Sequence, residues 1–137
     1  MANEPVTSKD IDELLRFLPL FELPGRKFVE RSAGGERTAG GAIVMPYPVY
    51  TADVEQFFHL AAQPCWTDHE YVPAEAGKML QDDELVAKAT LAEIKMMLTY
   101  CVRGERFCDG HWEAVLGSGR IAALLQRLDA LRQRRTG

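Results

Sequence analysis

The sequence is poor in cysteine and has no long apolar run. Its three cysteines among 137 residues are an odd number. No C-x-x-C pair occurs, so we expect free thiols in a reducing compartment rather than disulfides. No segment approaches the roughly 18 consecutive apolar residues of a membrane span. The polar stretch from Met1 to Asp10 lacks the apolar core of a signal peptide. These absences predict a cytoplasmic protein with no membrane partner.

The chain also lacks an excess of positive charge. The chain has 16 lysines and arginines against 20 aspartates and glutamates, which gives a formal net charge of −4. Because phosphate binding requires a basic face, we do not expect nucleic acid as a partner. A glycine-rich phosphate loop is also missing, since Gly117-x-Gly119 is too short for one and no predicted strand precedes it.

Arginine is concentrated near the end of the chain, at Arg120, Arg127, Arg132, Arg134 and Arg135. We interpret these arginines as the solvated face of a last helix, where positive charge suits the helix dipole. A local basic patch is the alternative.

Apolar residues make up 47% of the chain, and they recur with the period of an α-helix. The apolar stripes are Ile11-Leu14-Leu15-Leu18, Val54-Phe57-Phe58-Ala61, Leu91-Ile94-Leu98-Cys101 and Ile121-Leu124-Leu125-Leu128-Leu131. A chain of this length can bury a core as one domain. We therefore predict a mostly α, single-domain bundle of about five helices over residues 8–135. A flexible N-terminus over residues 1–7 precedes it.

Capping and breaking residues give the predicted helix ends. Ser8 is the expected N-cap of the first helix, and Pro19 is expected to end it. Ser118 is the expected N-cap of the last helix. Thr90 and Glu93 form a T-x-x-E capping box, which predicts either a helix break just before Thr90 or one long helix with a chance match.

The region from Arg26 to Val49 is the least regular part of the sequence. Phe28 and Val29 are expected to begin a strand, glycine pairs at 34–35 and 40–41 bracket a tip, and residues 42–45 are expected to form the return strand. This pattern predicts a small irregular β-hairpin between the first two helices. A long ordered loop is the alternative, and the sequence leaves open whether the segment is ordered before a partner binds.

Three segments carry a resemblance to a known family. They are MPYPVYTADVEQFF (residues 45–58), AKATLAEIKMMLTYCVRGERFCDGHW (residues 87–112) and GRIAALLQRL (residues 119–128). Together they resemble a family of small bacterial proteins known as domain of unknown function 6508, and RGERFCDGHW is the most specific part. The resemblance implies a bacterial, free-standing small domain and names no chemistry.

The stretch from Met97 to Trp112 gathers the densest chemistry, and we take it as the candidate surface. The predicted partner- or ligand-binding residues are Arg103, Glu105, Arg106, Asp109, His111 and Trp112, with Trp66 and His69 adjoining. Arginine and tryptophan are the residues that dominate interface hot spots. We expect the arginines to hold an anionic group and Trp112 to supply apolar contact. Most of the charges, however, are expected to lock the junction between two helices.

Two chemical alternatives use the same region. Cys65-x3-His69 and Cys108-x2-His111 are pairs with chelating spacing, and the four residues together would make a tetrahedral zinc site. Glu105, Asp109 and His111 are the second alternative, a carboxylate–histidine set for acid–base chemistry. No catalytic residue can be assigned from the sequence. The structural interpretation places Cys101 in the core and makes Cys108 a small buried thiol.

Small size, acidic charge and aromatic residues in irregular segments favour a binding module. We expect a non-enzymatic protein without a cofactor that engages a protein partner, and we leave open association into a homodimer. An inhibitor carried by a phage or mobile element fits this description, since an acidic surface can complement the nucleic-acid channel of a nuclease. A small enzyme or zinc-binding protein is the alternative.

Overall fold

The computed structural model describes residues 5–35, 39–43, 46–106 and 108–136, with residues 135 and 136 described by their backbone alone. Within these ranges the chain forms seven helices of at least five residues, one four-residue helical turn and an antiparallel hairpin. The elements in order are α1 (Ser8–Leu15), α2 (Leu18–Phe21), β1 (Val29–Ala33), β2 (Tyr47–Tyr50), α3 (Ala52–Ala61), α4 (Pro73–Leu80), α5 (Asp83–Ala87), α6 (Leu91–Gly104), α7 (His111–Gly117) and α8 (Arg120–Thr136). The mostly α prediction is confirmed. The helices are more numerous than predicted because the segment before α6 is divided into two short helices, which are separated by the N-caps Asp82 and Thr90.

Helix α6 lies at the centre of the fold. It begins at a capping box, in which the Thr90 hydroxyl accepts from the Glu93 N–H and the Glu93 carboxylate accepts from the Thr90 N–H. The predicted break before Thr90 is therefore present, and α5 and α6 are separate helices. The α6 side chains at 0% exposure are Ile94, Met97, Leu98 and Cys101. Helices α3, α4, α7 and α8 all contact α6.

The first helix begins one residue earlier than predicted. Thr7, not Ser8, is the N-cap, because its hydroxyl accepts from the Asp10 N–H at 3.2 Å while the Asp10 carboxylate accepts from the Thr7 N–H at 2.9 Å. Pro19 lies in the first turn of α2, where its missing N–H breaks no helical hydrogen bond. Val6 is buried in the same core, so contacts with the core start before Ser8.

The hairpin is present, but the strand that pairs with β1 lies later in the chain than the predicted residues 42–45. The return strand is β2, which pairs with β1 in the register Val29 with Tyr50 and Ser32 with Pro48. A proline is accepted here because a two-stranded sheet consists of edge strands, which need not donate at every position. Of the predicted strand, residues 44 and 45 lie outside the described residues. The hairpin brings Tyr50, which is 6% exposed, to the start of α3.

Helix α8 closes the bundle with Ile121, Leu124, Leu125 and Leu128, all at 0% exposure. Ser118 is not its N-cap; the residue is the C-cap of α7. No helix in the described ranges combines the length and the apolar content needed to cross a membrane.

The arginines of α8 do more than face solvent. Arg120 donates to the Leu80 carbonyl at 2.8 Å, and Arg127 donates to the Ala89 carbonyl at 2.9 Å. Both carbonyls lie at or just beyond the ends of α4 and α5, where backbone acceptors lack helical partners.

Candidate binding groove

The turn between α6 and α7 is built around the Glu105 carboxylate. Helix α7 has Gly110 as its N-cap, at φ +90°, and a glycine has no side chain with which to cap a helix. The Glu105 carboxylate takes this place: it accepts from the Gly110 N–H at 3.0 Å and from the Trp112 N–H at 2.9 Å. A negative group at a helix N-terminus is stabilising. Glu105 is therefore the cap of the helix that follows it.

Tyr50, the last residue of the hairpin, also donates hydrogen bonds to this carboxylate. Its hydroxyl lies 3.0 Å from both Glu105 oxygens and donates to them, and it accepts from the Glu113 N–H at 3.4 Å. Burial, together with the nearby carboxylate, raises the pKa of Tyr50 well above its ordinary value. The phenol thus stays protonated and remains a donor. It links the hairpin to the α6–α7 turn.

Trp112 is held in one orientation by three kinds of contact. Its indole N–H donates to the Val102 carbonyl at 3.1 Å. Its ring stacks on Phe58 of α3, with centroids 4.2 Å apart and planes 7° apart. The Tyr50 ring lies 5.2 Å away. The indole remains half-buried, so one part of a fixed aromatic surface faces solvent.

A groove of about 530 Å³ runs beside this indole, between α3 and the α6–α7 turn. Its lining residues are Glu55, Phe58, His59, Ala62, Val102, Glu105, Arg106 and Trp112. Phe58 and Trp112 provide its aromatic surface, whereas Arg106, His59 and Glu55 are exposed at its edge. Among the described residues, no acceptor pairs with the Arg106 guanidinium. We refer to this feature as the Trp112 groove.

His111 faces away from the Trp112 groove. Its ring meets Tyr100 edge-on at 5.2 Å and lines a separate cavity of about 290 Å³ next to α4. It also lies against Gly104, where an added Cβ would fall 2.3 Å from two ring atoms, so only glycine fits. Its Nε2 finds no hydrogen-bond partner among the described residues. Burial lowers the pKa of His111, and the Glu105 charge opposes that shift.

The remaining predicted surface residues are spread over different parts of the fold. Trp66 is 1% exposed and belongs to the core. The Arg103 guanidinium lies 5.2 Å from the centre of the Tyr71 ring, in a cation–π contact that directs it toward the segment before α4. His69 is exposed in that same segment, and Asp109 is exposed on the α6–α7 turn. The structure therefore brings Glu105, Arg106 and Trp112 to one groove and leaves the other residues outside it.

The four residues of the zinc alternative are not gathered. Cys65 is buried and Cys108 is exposed, which also corrects the expectation that Cys108 is a buried thiol. In the described part of the chain, no three His, Cys, Asp or Glu side chains lie close enough to share a metal ion. Cys101 is in the core as predicted, and burial raises its pKa to about 12. Phe107 lies outside the described residues.

Two residues of the acid–base alternative, Glu105 and His111, also point to different parts of the fold. The Glu105 carboxylate is committed to Tyr50 and to the start of α7, while His111 turns toward Tyr100 and α4. The two side chains do not converge on one cavity.

Sequence reasoning missed the opposite wall of the groove. Glu55, His59 and Ala62 follow the spacing i, i+4 and i+7 on α3, so they share one exposed face that flanks its buried stripe. The exposed face of α3 could therefore be predicted from the sequence. The position of that face beside Trp112 could not, because it depends on the stacking of the Phe58 ring on Trp112, which lies 54 positions later.

The profile of a family described as "Family of unknown function (DUF6508)" matches residues 6–134. The chain belongs to the DUF6508 family. The match spans every helix that walls the Trp112 groove, and it bears out the resemblance drawn from residues 45–58, 87–112 and 119–128. Neither a curated protein nor a solved structure gives a significant match to this DUF6508 chain.

Proposed function

We propose that this DUF6508 protein is a non-catalytic binding module that engages a protein partner through the Trp112 groove. The observation that carries the proposal is an aromatic ring fixed by its neighbours next to an exposed, unpaired guanidinium. Tryptophan and arginine are the side chains that contribute most to protein–protein hot spots. The groove is lined by one of each.

The fixed orientation of Trp112 favours binding because little conformational freedom is left to lose. The indole is already held by the Val102 carbonyl and by the Phe58 ring. Preorganised side chains avoid the roughly 0.5–1.5 kcal/mol that each side chain loses when a partner immobilises it. The Trp112 surface is therefore ready to receive an apolar side chain.

The charges at the groove edge indicate what surrounds that apolar contact. Arg106 is exposed and has no described acidic neighbour within ion-pair distance. A carboxylate of the partner would give it a charge-assisted hydrogen bond. Glu55 lies on the opposite wall and disfavours a second acidic group there. The best-fitting partner segment carries one aromatic or aliphatic side chain and a single carboxylate.

The native cysteines offer a direct test. Cys65 and Cys101 are buried, whereas Cys108 is exposed two residues after Arg106. A benzophenone maleimide should therefore label folded protein at Cys108 alone, next to the groove. After incubation in extract of the source cell and irradiation, we expect one dominant cross-linked protein, identified by mass spectrometry and then purified.

Variants decide whether the groove is responsible for the capture. Arg106→Glu should abolish the cross-link, because it replaces the unpaired cation with a charge that repels a carboxylate. Arg31→Glu is the matched control, since Arg31 is also an exposed arginine but lies on β1. Equal capture by wild type and Arg106→Glu, confirmed with the purified partner, would contradict the proposal.

A further inference from the structure

A second groove, of about 430 Å³, shares no lining residue with the Trp112 groove. It lies between α1, the start of α6 and the end of α8, and its lining residues are Ile11, Thr90, Leu91, Arg127, Leu131 and Arg134. We refer to it as the Leu131 groove. Nothing in the proposed function uses it.

The floor of the Leu131 groove is apolar and comes from three helices. Ile11 of α1 is 1% exposed and forms its base, while Leu91 of α6 and Leu131 of α8 are half-buried and flank it. These side chains come from three helices and line one groove, so they form an aliphatic surface with access to solvent. Such a surface suits a flexible hydrocarbon chain.

Two arginines border this floor. Arg127, Leu131 and Arg134 are spaced four and three residues apart, so all three lie on one face of α8. The two arginines are separated by about two helical turns, roughly 10 Å along the axis. Each guanidinium therefore stands near one end of the floor.

The two guanidiniums differ in whether they already have a hydrogen-bond partner in the protein. The Arg127 Nε already donates to the Ala89 carbonyl. Arg134 is exposed, and no acceptor among the described residues pairs with it. By contrast, Arg120 and Arg132 have acidic partners, at 3.8 Å and 3.1 Å. Arg134 is thus the guanidinium of the groove that has no described hydrogen-bond partner.

We propose that the Leu131 groove binds an amphiphilic monocarboxylate with an unbranched aliphatic chain. The chain lies along Leu91 and Leu131 over Ile11, and the carboxylate pairs with Arg134. A single guanidinium offers two parallel N–H donors, which match the two oxygens of one carboxylate. The inference is independent of the proposed function, because the two grooves share no residue.

Chain length tests the apolar half of the proposal. Hexanoate, octanoate and decanoate, each below its micelle concentration, are titrated into the full-length ¹⁵N-labelled protein, and binding is followed by amide chemical shifts. We expect affinity to rise by about two- to fourfold per added methylene. The largest shifts should fall on residues 90–91 and 131–134. Affinity independent of chain length, shifts centred elsewhere or no binding would each overturn the proposal.

Head-group chemistry and variants test the polar half. Decanol should bind more weakly than decanoate, and Arg134→Gln should weaken decanoate by about two- to fivefold, the range for an exposed ion pair. The same variant should leave decanol unchanged. Arg31→Gln is the control, since Arg31 is exposed on β1 and lines neither groove, and it should affect neither ligand. Equal affinity for decanoate and decanol, or the same loss in both arginine variants, would contradict the assignment of Arg134.

Discussion

Glu105 and Arg106 are neighbours in the chain, and their side chains have opposite environments. The Glu105 carboxylate points into the α6–α7 turn and accepts from Tyr50, Gly110 and Trp112. The Arg106 guanidinium lines the Trp112 groove and forms no ion pair with the described residues. The turn thus has an inner face, where the Glu105 carboxylate is hydrogen-bonded, and an outer face, where the Arg106 guanidinium has no described partner. A dense cluster of charge in a sequence can therefore be part structural and part available for binding.

The largest effect should come from removing the inner carboxylate. Glu105→Ala leaves the Tyr50 hydroxyl and two backbone N–H groups at the start of α7 without their acceptor. We expect the free energy of unfolding to fall by about 3 kcal/mol, since each bond to a charged group contributes about 1.5–3 kcal/mol and water replaces part of it. Urea denaturation measures this loss. A change no larger than that of Arg106→Ala would show that the inner face is not what holds the turn.

A slightly smaller loss of stability is expected from adding a methyl group at Gly104, which packs against the His111 ring. Gly104→Ala would place its Cβ 2.3 Å from the imidazole and force the ring to move. We expect a loss of about 2 kcal/mol, typical of overpacking. Adding His111→Ala should recover part of this loss, so a double-mutant cycle with strictly additive energies would rule out the contact.

Tyr50→Phe isolates the link between the hairpin and the turn. The variant keeps the ring but removes the hydroxyl that donates to Glu105. We expect a loss of about 1 kcal/mol. Tyr47→Phe is the matched control, because Tyr47 lies on the same strand and is 45% exposed. Equal losses in the two variants would mean that the Tyr50 hydroxyl contributes nothing specific.

His111 should make the free energy of unfolding depend on pH. Because its pKa is lowered on folding, the unfolded chain binds a proton more readily than the folded chain. Stability should therefore fall as the pH drops through the ordinary histidine value of about 6.5. In His111→Phe this component should disappear. Urea midpoints at pH 7.5 and pH 5.5 for both proteins check it, and parallel changes would contradict the assignment.

The smallest effect on stability belongs to the outer face. Arg106→Ala should change the free energy of unfolding by less than about 0.5 kcal/mol, as is usual for exposed positions. A larger loss would show that Arg106 supports the fold and is not available to a partner.

Local sequence signals predicted the helices well and the site only in part. The apolar stripes gave the buried faces of α3, α6 and α8, and the Thr90–Glu93 capping box marked the start of α6. The return strand was misplaced because residues 42–45 have a higher strand propensity than the proline-containing segment that forms β2. Propensity describes single residues, whereas strand pairing depends on a partner elsewhere in the chain.

The site was harder to predict because its contacts are distant in sequence. The Tyr50–Glu105 bond joins residues 55 positions apart. The capping role of Glu105 could have been suspected from Gly110, which cannot cap α7 itself. No local pattern shows that Trp66 is in the core while Trp112 faces a groove. Both tryptophans lie in irregular or junction segments, and tertiary packing alone separates them.

The central claim is that the outer face of the α6–α7 turn binds a partner while the inner face holds the fold. Arg106→Gln tests it most directly when the unfolding midpoint and the capture of the partner by labelled Cys108 are measured on one preparation. We predict an unchanged midpoint and a loss of most of the captured partner. An unchanged midpoint with undiminished capture would contradict the claim.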